Sequence, residues 1–174
     1  MPARPSYRSA LRSITFLLLD VDGVLTDGRI IYTDDGREGK AFHVRDGFGI
    51  VAFRKLGHRV GIITGRSSPV VTRRAEELGI DLVMQGVEDK FEVYSEIKKK
   101  YGLSDREVAY VGDDVPDLGV LGCAGFSAAP SDAHDRVKRA AMYVCKHKGG
   151  KGAVREVVDI IMAAQSTNRR GPRR

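Results

Sequence analysis

Short apolar runs alternate with amphipathic segments along most of the chain, and this alternation predicts strands followed by helices. The run Ile14–Leu19 is mostly apolar and has the length of one strand, as in strands buried on both faces of a parallel sheet. Five later segments have the same character, and they are Arg59–Thr64, Asp81–Met84, Glu107–Val111, Gly125–Ala128 and Ala141–Cys145. Predicted helices lie between and after them, at Asp46–Leu56, Pro69–Leu78, Glu88–Tyr101, Pro116–Leu121 and Gly152–Ala164.

One segment departs from this alternation. Arg29–Thr33 and Lys40–Val44 are β-prone, and Asp34–Arg37 between them has turn chemistry, so we predict a β-hairpin that protrudes after the first strand. The rest of the pattern predicts an α/β fold, a three-layer sandwich around a central, mostly parallel sheet. Ligands in such folds bind at the carboxyl ends of the strands.

Length and composition agree with one soluble domain. The chain has 174 residues and is 42% hydrophobic, and its apolar runs are far shorter than the roughly 20 residues of a membrane span. Two cysteines are too few for a disulfide scaffold, so a reducing, cytoplasmic location is expected. We predict a single domain over residues 13–165, between basic flexible tails at residues 1–12 and 166–174.

The net charge of +6 lies in those tails. Without the arginines of residues 1–12 and 169–174, the chain has 22 basic and 23 acidic residues, so the body carries almost no net charge. A nucleic-acid partner is therefore not expected. The tails could attract polyanions, or they could simply be solvated ends.

Polar residues follow the predicted strands in a consistent way. They are Asp20, Asp22 and Gly23 after the first strand; Thr64, Gly65 and Arg66 after the second; Lys90 after the third; and Asp113, Asp114 and Asp117 after the fourth. Carboxylates brought to one edge of a sheet repel each other unless a cation lies between them, and oxygen ligands suit Mg²⁺. Thr64, Lys90 and Arg66 can bind phosphoryl oxygens there. An aspartate beside the metal can attack phosphorus, and a second aspartate two residues later can transfer the proton.

Together these motifs resemble the haloacid dehalogenase superfamily of phosphotransferases, across residues 14–164. The resemblance implies a Rossmann-like fold with Asp20 as nucleophile and Asp22 as general acid and base, while Thr64 and Lys90 hold the phosphoryl group. It also implies Mg²⁺ bound by the Asp20 and Asp113 carboxylates and the Asp22 carbonyl, with Asp114 or Asp117 in support. Many members carry a cap domain inserted after the first or the second strand. Here only the hairpin fits between Gly23 and Asp46, and only a helix and a strand fit between Gly65 and Lys90, so no cap domain is expected.

Further segments resemble the 3-deoxy-D-manno-octulosonate 8-phosphate phosphatase family, namely Gly28–Tyr32, Gly36–Glu38, Lys40–Gly47 and Gly149–Glu156. That resemblance implies hydrolysis of the sugar phosphate in lipopolysaccharide precursor synthesis, by a homotetramer assembled through the hairpin 28–44. The implied substrate contacts are Asp22, His43, Val44, Arg45, Asp46, Gly47, Arg66, Arg74 and Lys90. The two arginines Arg66 and Arg74 would meet the carboxylate of the sugar, which suits their bidentate geometry.

Two other functions remain open on the sequence alone. The same chemistry could act on another acid sugar phosphate, such as an N-acylneuraminate 9-phosphate, which presents the same carboxylate and terminal ester. The chain could instead be a non-catalytic binding or regulatory module whose arginine tails hold polyanions. The intact Asp20, Asp22, Lys90 and Asp113 favour an enzyme over the second alternative.

Overall fold

A computed structural model describes residues 7–169 of the chain, with side chains described as far as residue 166. The eight strands, in chain order, are β1 (Phe16–Leu19), β2 (Ile31–Tyr32), β3 (Glu38–Gly39), β4 (Arg59–Ile63), β5 (Leu82–Met84), β6 (Val108–Val111), β7 (Phe126–Ala129) and β8 (Tyr143–Val144). Six of them form one parallel sheet in the order β5-β4-β1-β6-β7-β8. β2 and β3 form a separate antiparallel pair.

Within residues 7–169, seven α-helices connect and cover these strands. They are α1 (Tyr7–Ala10), α2 (Val44–Lys55), α3 (Pro69–Leu78), α4 (Lys90–Tyr101), α5 (Leu118–Cys123), α6 (Asp135–Ala140) and α7 (Ala153–Arg169). Three short 3₁₀ turns lie at Leu11–Ser13, Asp105–Glu107 and Val115–Asp117. The predicted three-layer sandwich with a parallel sheet is confirmed, and only the β2–β3 pair lies between β1 and α2.

Alternation along β1 divides the core between the two faces of the sheet. Leu17 and Leu19 face a cluster built with α2, α3 and α7, whereas Phe16 and Leu18 face a cluster built with α4, α5 and α6. All four side chains are at most 1% exposed. The strand that carries the first acidic motif is therefore buried on both faces, which fixes the position of the residues that follow it.

Several boundaries differ from those predicted. The hairpin strands are only two residues long: Ile31 pairs with Gly39, and Tyr32 pairs with Glu38. The second strand does not extend to Val44 as predicted, because α2 begins there with His43 as its cap. The sequence did not predict α6, a six-residue helix whose only buried residue is Val137. Such a short helix is fixed by its packing on the sheet more than by its own pattern.

The ends of the chain also differ from the expected tails. Residues 7–13 are helical, and Leu11 is buried against the core, so the N-terminal part of the domain begins earlier than residue 13. At the other end α7 continues to Arg169, beyond the predicted boundary at residue 165. The remaining predicted tail residues, 1–6 and 170–174, lie outside the described residues. Within residues 7–169, no helix combines the length and apolarity needed to cross a membrane.

Candidate active site

Asp20 occupies the first position after β1, at the carboxyl edge of the sheet, and is 7% exposed. Its Oδ1 accepts a hydrogen bond of 2.7 Å from the amide of Val21, and its Oδ2 lies 2.8 Å from Nζ of Lys90. Lys90 is the first residue of α4, which Asp89 caps by accepting from two amides of the first turn. The start of α4 thus places a buried ammonium group directly against the Asp20 carboxylate.

Asp117 lies beneath this pair and is completely buried. Its Oδ1 accepts from the Tyr110 hydroxyl at 2.6 Å and from Lys90 Nζ at 2.7 Å. Its Oδ2 accepts from the amides of Asp113 and Asp114 at 2.9 and 3.1 Å. With four donors the carboxylate is saturated, so Asp117 fixes Lys90 and the turn after β6. Sequence reasoning did not single out Tyr110, because a tyrosine inside an apolar strand reads as core.

Asp113 completes the acidic group. Burial, followed by the neighbouring charges of Asp20 and Asp117, raises the pKa of Asp113 to about 8, although Lys90 opposes the shift. Burial also raises the pKa of Asp20 to about 6, although Lys90 opposes this shift. A Cβ added at Gly23 would lie 2.0 Å from Asp113 Oδ2, so a glycine is needed where the turn after β1 meets this carboxylate.

These acids fit a hard divalent cation. Carboxylate oxygens of Asp20, Asp113 and Asp117 lie within 4.8 Å of one another, and Oδ1 of Asp113 is buried without a hydrogen-bond partner. A cation between Asp20 and Asp113 would satisfy that oxygen and offset the repulsion that raises both pKa values. Because the oxygens of Asp117 already accept four hydrogen bonds, Asp20 and Asp113 are the carboxylates available to such an ion.

Asp22 lies apart from this acidic group and contacts different cations. Its Oδ1 contacts Nζ of Lys40, and its Oδ2 lies 3.9 Å from Nε of Arg66. Arg66 also donates to Glu38 at 3.0 Å. Lys40 and Glu38 come from the β2–β3 segment, so the hairpin reaches the carboxyl edge of the main sheet. Neither residue was a candidate from the sequence.

Two other predicted residues at the strand ends differ in their surroundings. Thr64 follows β4 directly and is 2% exposed, next to β1 in the sheet. Asp114 is exposed and accepts from the Val115 amide as the cap of a 3₁₀ turn, and it is not part of the acidic group. The Asp114 carboxylate thus caps this turn, and the support of a metal by Asp114 or Asp117 stays a prediction.

The residues expected to contact the sugar lie around the first turn of α2. A cavity on this side is lined by residues that include Leu25, His43, Gly47 and Arg74. The Arg74 guanidinium lies 5.7 Å from the Phe42 ring and so close to Gly47 that a Cβ there would meet Nη2 at 2.4 Å. Val44 and Arg45, also expected to contact substrate, are exposed.

Asp46, another predicted substrate contact, lines the same cavity and is also held by hydrogen bonds from a distant segment. Its side chain is 2% exposed, and its two oxygens accept from the amides of Arg155 at 2.8 Å and Gly152 at 3.1 Å. Gly152 directly precedes α7, and Arg155 lies in its first turn. Asp46 thus joins α2 to α7, because the first amides of a helix lack partners within the helix.

The glycine-rich segment before α7 packs against the turn that follows Asp20. The Gly150 amide donates to the Val24 carbonyl at 2.9 Å. A Cβ at Gly149 would lie 1.8 Å from the Gly23 carbonyl oxygen, and one at Gly150 would lie 2.5 Å from the Thr26 carbonyl carbon. The two backbones are therefore in direct contact, and the glycine-rich segment covers one side of the turn that follows Asp20.

A parallel α/β sheet with clustered aspartates at its carboxyl edge is typical of the haloacid dehalogenase-like hydrolases, and the family model of that description matches residues 49–125. The 3-deoxy-D-manno-octulosonate 8-phosphate phosphatase KdsC of Salmonella typhimurium is 43% identical over 164 residues, covering 94% of this chain and 87% of that protein. The chain belongs to the 3-deoxy-D-manno-octulosonate 8-phosphate phosphatase (KdsC) family.

Solved structures agree with this assignment. The phosphatase from Yersinia pestis superposes with a TM-score of 0.91 at 42% identity, covering 92% of this chain and 87% of that one. The phosphatase from Moraxella catarrhalis, solved in complex with a magnesium ion, a phosphate ion and a KDO molecule, gives the same TM-score and identity and covers 92% of both chains.

Proposed function

We propose that this chain hydrolyses the phosphate monoester of 3-deoxy-D-manno-octulosonate 8-phosphate, releasing the free sugar acid and inorganic phosphate in a Mg²⁺-dependent reaction. The observation that carries the proposal is the buried group formed by Asp20, Lys90, Asp113 and Asp117 at the carboxyl edge of the sheet. The relatives named for this activity, and a similar structure holding magnesium, phosphate and the sugar, support it.

In the proposed reaction Asp20 is the nucleophile. One carboxylate oxygen forms a bond to phosphorus while the ester bond to the sugar breaks, and the departing oxygen takes a proton from Asp22. Asp22 then takes a proton from water, which attacks the aspartyl-phosphate, releases inorganic phosphate and restores Asp20. Each turnover therefore returns both aspartates to their starting state.

The surrounding residues hold the phosphoryl group for this transfer. Lys90, fixed by Asp20 and Asp117, contributes a positive charge at 2.8 Å from the nucleophile, and Thr64 contributes a hydroxyl at the end of the adjacent strand. Mg²⁺ would be held by the Asp20 and Asp113 carboxylates with the Asp22 carbonyl, and it would supply positive charge for the phosphoryl oxygens.

The sugar would lie towards the hairpin and the start of α2. Arg66 has a side chain that is 43% exposed next to Asp22, and Arg74 lies against Gly47 and the cavity near His43. A guanidinium group recognises a carboxylate through two parallel hydrogen bonds, which suits the acid group of the substrate. Val44 and Arg45, the other expected sugar contacts of this segment, are exposed at the start of α2.

Phosphate release from the eight-carbon ester, measured with and without Mg²⁺, tests the proposal. Wild-type protein should release phosphate only with the metal, and Asp20→Asn should be inactive because an amide does not attack phosphorus. Asp159→Asn, an exposed aspartate on α7, is the matched control and should retain full activity. Undiminished turnover by Asp20→Asn would refute the aspartyl-phosphate route.

The choice of sugar requires its own comparison. The same assay with an N-acylneuraminate 9-phosphate gives a second kcat/KM, and we expect the eight-carbon ester to be preferred. A clear preference for the nine-carbon ester would be consistent with the proposed phosphatase chemistry but would contradict the proposed substrate.

We also infer that the chain assembles as a homotetramer through the hairpin 28–44. Ile30, Ile31 and Tyr32 are 49%, 44% and 66% exposed, an apolar stripe on a two-stranded sheet whose edges are unpaired. Ile31→Asp should lower the mass measured by light scattering. Lys99→Asp, at an exposed position of α4, is the control and should leave the mass unchanged. An unchanged mass for Ile31→Asp would count against assembly through this segment.

The cytoplasm is the expected location of this reaction. Cys123 and Cys145 are both unpaired, which suits a reducing compartment. Fractionation of cells that express the tagged chain would test this expectation.

A further inference from the structure

The side chain of Lys40 is buried beside the aspartate to which the proposed function assigns proton transfer. Lys40 lies directly after β3, and none of its side-chain surface is exposed. Its Nζ contacts Oδ1 of Asp22 and lies 3.4 Å from Oε1 of Glu38. A buried ammonium group is costly unless it is paired, so these two carboxylates account for its position.

The same carboxylates also interact with Arg66. Its Nη2 lies 3.0 Å from Oε1 of Glu38, and its Nε lies 3.9 Å from Oδ2 of Asp22. The result is a ring in which the carboxyl groups of Asp22 and Glu38 alternate with the side chains of Lys40 and Arg66. It links the hairpin to the ends of β1 and β4, and Lys40 is its most buried member, since the Arg66 side chain is 43% exposed.

We propose that Lys40 is a positioning residue, which holds the Asp22 carboxyl group in the orientation that transfers a proton to the leaving oxygen of the substrate. This inference rests on the proposed function. Asp22 is 21% exposed and follows the end of the strand, so without a partner its side chain could rotate among several conformers. Lys40 fixes one of its oxygens, and Glu38 fixes Lys40.

Lys40 itself exchanges no atoms in the reaction. The bond from Asp20 to phosphorus forms, the bond from phosphorus to the ester oxygen breaks with its electron pair on that oxygen, and the proton comes from Asp22. The orientation of Asp22 therefore matters most when the leaving oxygen is a poor leaving group, as in an alkyl ester of a sugar. It matters little for an aryl ester, whose oxygen leaves as a stable anion.

This difference provides the test. Lys40→Met removes the charge and keeps the length of the side chain. We expect it to lower kcat/KM for the octulosonate ester about tenfold or more, since misplacement of a proton donor has effects of this order. For p-nitrophenyl phosphate, kcat/KM should stay within about twofold of wild type, because its bond cleavage needs no proton.

Matched variants separate the possible outcomes. Asp22→Asn should show the same split between the two esters more strongly, whereas Lys99→Met makes the same change at an exposed site on α4 and should alter neither value. Glu38→Gln loosens Lys40 without removing it, and it should give a smaller split in the same direction if Lys40→Met fails to fold. Equal losses for both esters, or no loss for either, would overturn the role of Lys40.

Failure of the underlying function looks different. If wild-type protein does not hydrolyse the octulosonate ester, or if Asp22→Asn shows no split between the esters, the proposed chemistry fails and the inference fails with it. If Asp22→Asn shows the split while both Lys40→Met and Glu38→Gln do not, only the positioning role of Lys40 is overturned.

Discussion

Replacement of Asp46 tests whether this residue serves the fold or the substrate. The carboxylate is buried and accepts from the amides of Gly152 and Arg155, at 3.1 and 2.8 Å. In Asp46→Ala those two amides lose their acceptor inside the protein. If Asp46 instead contacted the substrate, the same change would raise KM and leave the unfolding free energy nearly unchanged.

The size of the effect follows from these two hydrogen bonds. A hydrogen bond to a charged group contributes about 1.5–3 kcal/mol. Burial opposes this gain, and it raises the pKa of Asp46 above its usual value even though both amides favour the charged form. We therefore expect a net loss of about 2–3 kcal/mol in Asp46→Ala, which corresponds to a fall in Tm of about 4–12 °C for a domain of this size.

Thermal unfolding and steady-state kinetics, measured on the same samples, provide the comparison. Asp159→Ala is the matched control, because this aspartate lies on α7 and makes only a solvent-exposed ion pair with Arg155. The control should lose less than about 1 kcal/mol. A rise in KM for Asp46→Ala without a change in Tm would refute the structural role and support Asp46 as a substrate contact.

Three further predictions concern buried groups. Tyr110→Phe removes the hydroxyl that donates to Asp117 at 2.6 Å, and urea unfolding should show a loss of about 1.5–3 kcal/mol. Because burial raises the pKa of Asp113 from 3.8 to about 8, the metal-free folded chain binds a proton there that the unfolded chain has released. Its unfolding free energy should therefore fall as the pH rises between about 4 and 8, and urea titrations in EDTA that show no such slope would contradict this. A thiol reagent should modify exposed Cys123 in the native protein, but Cys145 only after denaturation, since burial raises the pKa of Cys145 to about 12. Rapid modification of both cysteines in the native protein would contradict this.

The sequence predicted the elements whose pattern is local. β1 and β4 were predicted because their apolar runs end in polar residues. The ends of α3 and α4 were predicted because a glycine follows each helix, and in the structure Gly79 and Gly102 adopt the left-handed conformation of a helix cap. Asp20, Lys90 and Asp113 were expected together because parallel strands bring their carboxyl ends to one edge, and the structure places them there.

Other features depend on packing between distant segments and leave little local signal. Lys40 follows a strand of two residues and resembles a solvated hairpin lysine in the sequence, yet its partner Asp22 lies on another element. Asp46 resembles a helix cap near a predicted substrate loop, but its donors are more than 100 residues away. Such pairings become visible only when the chain positions are known in three dimensions.

The contact between Gly149, Gly150 and the turn at Gly23 has a consequence for how the protein matures during synthesis. Every acid of the cluster is synthesised before the glycine-rich segment exists to pack against the turn that follows Asp20. We expect a nascent chain halted before residue 149 to contain all of these aspartates without the segment that covers that turn. Enzymatic competence would then be reached only after the glycine-rich segment has been made and has packed against the turn.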